Sequence, residues 1–273
     1  MTIQNHTLGS NNGEQFPDLE LGTYEAVLTA LDVGYRHFDC ACIGEAFAMT
    51  TVPRNKYYVT SKLWNNCYRP EDVGPALEAT LAELKRNYLD LYLMHAGTQF
   101  WPQAFKSGNE EFPMDAQGRV ISEDVSFVDT WKAMEKLILD NCKTVPAVNQ
   151  VELHLYLLRE KLLQFSKKHN NIITAYSPLG GPRSPGVTDE PLIREIAKRL
   201  HKSPAQVLLS WGVRRGTVVV PKSANPARIK ANLELFELSK EDFEAINELS
   251  RKKIRYCFPE KLWSGVAACF EDD

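Results

Sequence analysis

The sequence predicts an α/β fold, and within that class a single (β/α)8 barrel opened by a β-hairpin, with one strand–helix unit missing or shortened. Three observations carry the expectation. Strand-like and helix-like segments alternate along the chain, which implies parallel strands joined by helical crossovers. Most strand-like segments are short, β-branched and apolar, as strands buried on both faces are. The competing doubly wound sheet calls for G-x-G-x-x-G after its first strand, and the chain has none there.

The elements follow in order. Asn11-Asn12-Gly13 is a tight-turn signal between Thr7-Leu8 and Phe16, and sets the opening hairpin. Seven segments then read as barrel strands: Asp18 to Thr23, Tyr35 to Asp39, Tyr57 to Leu63, Leu89 to Met94, Ala147 to Glu152, Ile172 to Tyr176 and Thr217 to Val220. Helical spacing fills the intervals. Pro70 to Arg86 opens with Pro70, Glu71 and Asp72, an acidic first turn suited to the helix dipole, and then repeats Val73, Leu77, Leu81 and Leu84. Phe127 to Leu139, Leu157 to Lys168, Glu190 to Leu200, Pro204 to Arg214 and Pro226 to Leu235 behave likewise. Ser239 to Ser250 adds a helix behind a Ser-x-x-Asp capping box. A closed barrel needs eight strands. Two crossovers, Glu25 to Gly34 and Ile43 to Thr50, barely reach the ~10–12 residues that a parallel connection takes.

The 273 residues are 44% apolar and 25% charged, enough for one full core, so residues 1–273 read as one domain with a variable tail over 251–273. A net charge of −3 with no basic stripe argues against a nucleic-acid partner. The six cysteines show no paired spacing; Cys40 and Cys42 form C-x-C, which fits neither a C-x-x-C redox motif nor half of a zinc site. They read as free thiols of a reducing compartment, and no metal is expected. The first 22 residues lack the basic start and apolar stretch of a signal peptide, and no segment approaches the ~18 apolar residues of a membrane span. The expectation is a cytoplasmic protein, off the membrane.

In such barrels the active site lies at the C-terminal ends of the strands. The polar residues there are Asp39, Lys62, His95, Gln150, Glu152, Tyr176-Ser177 and Lys222-Ser223. An Asp–Lys pair lowers the pKa of a neighbouring acid by placing positive charge beside its conjugate base, and a histidine can hold a carbonyl oxygen. A buried ion pair and a satisfied strand-end histidine would produce the same pattern.

Longer motifs are more specific. Gly34-Tyr35-Arg36-His37-Phe38-Asp39-Cys40-Ala41, Thr60-Ser61-Lys62-Leu63-Trp64 and Leu89-Asp90-Leu91-Tyr92-Leu93-Met94-His95 occur in order. Pro146 to Glu152, Ala175-Tyr176-Ser177-Pro178-Leu179-Gly180 and Pro221-Lys222-Ser223 continue the series. Together they resemble the aldo-keto reductases, from the hairpin to about Leu249. The resemblance implies NADPH-dependent reduction of small aldehydes or ketones on a (β/α)8 barrel, usually by a monomer. It implies that Asp39 and Lys62 tune a proton-donating tyrosine and that His95 orients the substrate, with Trp64 and Trp101 lining its pocket. For the cofactor it implies Thr23 and Asp39 at the nicotinamide ribose, Gln150 at the carboxamide and Tyr176 stacked on the ring. Ser177 and Leu179 would run along the pyrophosphate, with Lys222, Ser223, Arg228 and Asn232 at the adenosine end. Two cations and a hydroxyl beside a helix N-terminus suit a 2′-phosphate, and the planar guanidinium favours NADPH over NADH.

The pattern breaks in places. The tyrosine belongs five residues after Asp39, where the chain has Gly44. Short joins occur at Glu25–Ala26, Cys42–Ile43 and Leu137–Ile138, the last in place of a strand and a Ser-Asn pair that contacts the carboxamide. Ala96 to Phe100 separate His95 from Trp101-Pro102, Ala231 replaces an acidic adenine contact, and Leu155 replaces a proline. Cys42 and His95 are the groups nearest the place of the lost donor. The alternative to a reductase is therefore a catalytically impaired or shortened member of the family, whose breached barrel would favour oligomers through unpaired strand edges.

Overall fold

A computed structural model describes residues 24–39, 44–95, 125–138, 147–181 and 186–257. Within them six parallel strands alternate with nine α-helices. Helix α1 (Tyr24–Val33) precedes β1 (His37–Asp39), and α2 (Gly44–Met49) precedes β2 (Tyr58–Leu63). Helix α3 (Pro70–Glu83), β3 (Leu91–Met94), α4 (Phe127–Ile138) and β4 (Val148–Glu152) follow. The chain continues through α5 (Glu160–Lys168), β5 (Ile172–Tyr176), α6 (Pro191–Leu200), α7 (Pro204–Arg214), β6 (Val218–Val220), α8 (Pro226–Leu233) and α9 (Lys240–Glu248). The strands form two three-stranded parallel sheets, β1-β2-β3 and β4-β5-β6.

Strand periodicity sorts the side chains. Phe38, Val59 and Leu63 turn outward into apolar clusters, as do Ile173, Ala175 and Val219 in the second sheet. Their neighbours at odd spacing, Asp39, Thr60, Lys62, Gln150, Thr174 and Tyr176, therefore face the inside of the barrel. The larger cluster packs the second sheet against Leu163, Ile193, Ile196, Leu208 and Trp211 of the outer helices. Each such fully buried aliphatic side chain contributes about 1.5–3 kcal/mol. The smaller cluster joins α1 and α2 to β1 and β2, and includes Ile229 of α8. There the buried Tyr35 hydroxyl donates to the Ile229 carbonyl at 2.9 Å, tying the last strand–helix unit to the first.

Helix ends follow their capping chemistry. Ser203 and Gln206 form a reciprocal capping box at α7, Asn225 accepts from the Arg228 amide at α8, and Ser239 accepts from the Asp242 amide at α9. Several expected helices are shorter than the sequence suggests, and α5 and α3 each lose three residues at one end. Helix α5 begins at Glu160 rather than Leu157, because Leu157 and His154 pair as an antiparallel bridge and Arg159 is left-handed at φ 52°. Helix α3 stops at Glu83 rather than Arg86, with Lys85 left-handed at φ 51°.

Six of the seven expected strands are present, with ends moved by up to two residues. The seventh, Asp18 to Thr23, and the opening hairpin lie outside the described residues. Among the described residues β3 pairs only with β2 and β4 only with β5, so the sheets are discontinuous where the expected eighth strand would stand. The short joins at Glu25–Ala26 and Leu137–Ile138 run inside the continuous helices α1 and α4. The third, Cys42–Ile43, lies outside the described residues.

Gly44 starts α2 with its Cα against the end of α3. A Cβ there would meet the Glu83 carbonyl oxygen and come within 2.6 Å of the Leu84 carbonyl carbon. A tyrosine cannot stand at this position without displacing backbone. Gly44→Ala is expected to lower stability by about 1–3 kcal/mol in urea denaturation; an unchanged midpoint would show that α2 and α3 are not in this contact.

Candidate active site

Because the strands are parallel, their C-terminal ends share one rim of the barrel, where the expected site residues collect. Asp39 ends β1 and is 3% exposed. Its register partner on β2 is Thr60, which places Lys62 two residues further toward the rim. Lys62 Nζ donates to Asp39 Oδ1, and Gln150 Nε2, from the other sheet, donates to Asp39 Oδ2 at 2.7 Å. One buried carboxylate thus receives donors from β2 and β4 together. Gln150, expected at a carboxamide, has its amide nitrogen engaged by Asp39.

His95 follows β3 and lies beside this pair. Its Nδ1 is 3.2 Å from Asn65 Oδ1, and its ring is 4.5 Å from that of Trp64, centroid to centroid. Burial lowers its pKa to about 4, and Lys62 adds to the fall against the opposing pull of Asp39. The Tyr68 hydroxyl donates to the His95 carbonyl, fixing the backbone at the end of β3. His37, two residues before Asp39 and on the same face, is 2.5 Å from Thr60 Oγ1 through Nε2. Burial, then Lys62, holds its imidazole well below the usual range. At neutral pH both imidazoles are uncharged, beside the Asp39–Lys62 ion pair. Such a group can hold a carbonyl oxygen by hydrogen bonds, with a cation close by to meet developing negative charge.

The second half of the rim carries the residues expected at a nucleotide. Tyr176 ends β5 opposite Glu152 of β4 and Val220 of β6. Burial first, then the neighbouring Cys257 and Glu152, raises its pKa. Ser177 is left-handed at φ 51°, an uncommon conformation for a non-glycine residue, and its carbonyl accepts from the Gly180 amide at 2.8 Å. Leu179 packs its partly buried side chain on the larger core cluster. After β6, Lys222 and Arg228 are exposed while Ser223 and Asn232 are buried. Arg228 Nε donates to Ser223 Oγ at 3.4 Å, so an arginine, a serine and a lysine flank the first turn of α8. The cations and hydroxyl expected for a 2′-phosphate stand together there, and the set fits that group.

Thr23 and Trp101 lie outside the described residues, as do Cys40 and Cys42. Among the described residues Cys67 and Cys257 form no disulfide. Sequence reasoning missed His37, Asn65 and Cys257. Period-two spacing from Asp39 could have found His37; nothing local points to the other two.

The family model described as the Aldo/keto reductase family matches residues 8–251. The chain is 41% identical to aldo-keto reductase family 1 member A1 of Gallus gallus, over 91% of this chain and 89% of that protein. It is 38% identical to the Homo sapiens protein of the same name, over 91% and 90%. The aldose reductase from Giardia lamblia superposes with a TM-score of 0.81 at 33% identity, covering 92% of this chain and 96% of that one. The aldose reductase from Schistosoma japonicum gives the same TM-score and identity over 96% of both chains.

The two depressed imidazoles set a pH dependence. A histidine whose folded pKa lies below its unfolded value of about 6.5 contributes stability that is complete above that value and lost as pH falls through the folded one. The His95 ring should titrate near 4 by NMR. Urea stability should fall between about pH 6.5 and 4, less steeply in His95→Gln. A His95 midpoint near 6.5 would contradict the burial and charge argument.

Proposed function

The chain belongs to the aldo/keto reductase family, and from that premise we propose that it is an NADPH-dependent oxidoreductase that reduces small aldehydes or ketones to alcohols. The observation that carries the reading is the meeting of Asp39, Lys62, Gln150 and His95 at one rim, with Tyr176 and the Lys222–Arg228 group on the same side of the strands. In this reading Tyr176, Ser177, Leu179, Lys222, Ser223, Arg228 and Asn232 hold the dinucleotide. Thr23 and Trp101 complete the cofactor and substrate sets that the family motifs imply. NADPH, when bound, supplies the hydride. His95 and Trp64 orient the carbonyl, Lys62, held by Asp39, stabilises charge on its oxygen, and water at the open rim supplies the proton that completes the alcohol. The protein acts as one domain, a monomer of the cytoplasm, on a small molecule rather than a nucleic acid or membrane. Among the described residues no helix is long and apolar enough to cross a membrane.

A second reading is favoured by Gly44. It occupies the sequence position of the family's proton donor, and its packing against Glu83 and Leu84 leaves no room for a larger side chain. The chain would then bind the nucleotide with impaired or no turnover.

Oxidation of NADPH by the full chain with an aromatic aldehyde, followed at the nicotinamide absorbance, separates the two. Turnover supports the reductase. Bound nucleotide without turnover supports the impaired member. Arg228→Met should weaken NADPH binding by about tenfold and leave NADH binding nearly unchanged, since a charged hydrogen bond to the extra phosphate is lost. Equal weakening of both nucleotides would remove Arg228 from the phosphate site.

A further inference from the structure

Glu152 ends β4 in the interior, 2% exposed, and has no part in the reaction as proposed above. Three donors converge on it. His154 Nε2 lies 3.0 Å from Oε1, the Tyr256 backbone amide donates to Oε1 at 2.6 Å, and the Cys257 amide donates to Oε2 at 3.2 Å. The last two come from consecutive residues more than a hundred positions along the chain. Burial alone would raise the Glu152 pKa, but the donors outweigh it and hold the carboxyl below its usual range. The carboxylate is therefore charged at neutral pH, and hydrogen bonds to an ionised acceptor are the strong kind.

This contact fixes the segment from Ile254 to Cys257 over the rim. The Tyr256 ring packs on the turn after β5, where a Cβ at Gly180 would come within 3.1 Å of the ring and one at Gly181 within 3.3 Å of the Tyr256 Cβ. The His154 ring supports it from the side, at 4.8 Å between centroids. The next residue, Cys257, lies beside Tyr176, close enough to act on its hydroxyl electrostatically. One carboxylate thus orders two neighbours: the turn Ser177–Gly180 through Tyr256, and Tyr176 through Cys257.

We propose that Glu152 is a positioning residue for the dinucleotide, clamping the Tyr256–Cys257 segment so that Tyr176 and the Ser177–Gly180 turn are held in their binding arrangement. The clamp rests on the nucleotide reading given above for Tyr176 and Leu179. It acts before any chemistry, on the affinity for the nucleotide.

Two measurements on the full chain test it, using NADPH as the probe. The first is amide hydrogen exchange at Tyr256 and Cys257 without nucleotide; the second is the Kd for NADPH. Glu152→Gln keeps the shape but removes the charge and one acceptor, and should speed exchange at both amides and raise the Kd, each by about tenfold. Glu152→Asp, which keeps the charge, should recover the Kd to within about threefold of the parent. Asp242→Asn, which weakens the Arg199 pair on the outer helices, should lower stability and leave the Kd unchanged. A merely structural Glu152 would behave like Asp242. If Glu152→Gln does not fold, Cys257→Pro removes one donor from the other side and carries the same expectation for the Kd and for Tyr256 exchange. Unchanged exchange overturns the clamp; faster exchange with an unchanged Kd overturns its role in positioning. A parent protein that exchanges slowly at these amides yet binds no NADPH overturns the nucleotide reading itself, and the positioning role with it.

Discussion

The Asp39 carboxylate receives Lys62 from the neighbouring strand and Gln150 from the opposite sheet. A carboxylate so buried is costly unless it is paired and hydrogen-bonded, and here both oxygens are engaged. The strands supply these partners because period two brings Lys62 to the face of Asp39, and Gln150 to the inside of β4. Among the described residues the two sheets share no strand pairing. The interior polar contact therefore joins two sheets that no described strand pairing links. The Tyr35–Ile229 hydrogen bond and the α1–α8 packing do the same on the outside.

The proposed function depends on the same geometry. Lys62 stands beside both His37 and His95, and with burial it keeps their imidazoles neutral. The rim is left with one compensated charge pair and hydrogen-bonding rings, a suitable environment for a carbonyl oxygen. The second half of the rim is built from Tyr176, the left-handed Ser177 and the cations before and within α8. Glu152 holds the C-terminal segment against it. The two halves come from different sheets, so an intact Asp39 contact is a condition for a single working rim.

Much of this was legible in the sequence. Strand–helix alternation located six strands within two residues of their ends, because buried parallel strands leave short β-branched runs. Pro70, Pro204 and Pro226 open three of the expected helices, since proline is tolerated in a first turn. The Asp39–Lys62 pair was expected and is present. What escaped were contacts set by the tertiary fold. Leu157 has helical spacing, but a bridge to His154 takes it out of α5. The family motif puts Gln150 at a carboxamide, and its engagement by Asp39 depends on two sheets meeting. Glu152 was visible as a polar strand end, but its partners Tyr256 and Cys257 fall in a tail with weak motifs. In the sequence Gly44 stands in the place of a tyrosine; only the packing against Glu83 and Leu84 shows why a glycine stands there.

The account turns on the claim that Asp39 couples the two sheets through Gln150. A double-mutant cycle with Asp39→Asn, Gln150→Leu and the combination, measured by urea denaturation, tests it most directly. A coupling energy of at least about 1 kcal/mol is predicted, as for residues sharing a buried hydrogen-bonded network. Strictly additive effects would contradict the claim and leave the two halves of the rim without their interior joint.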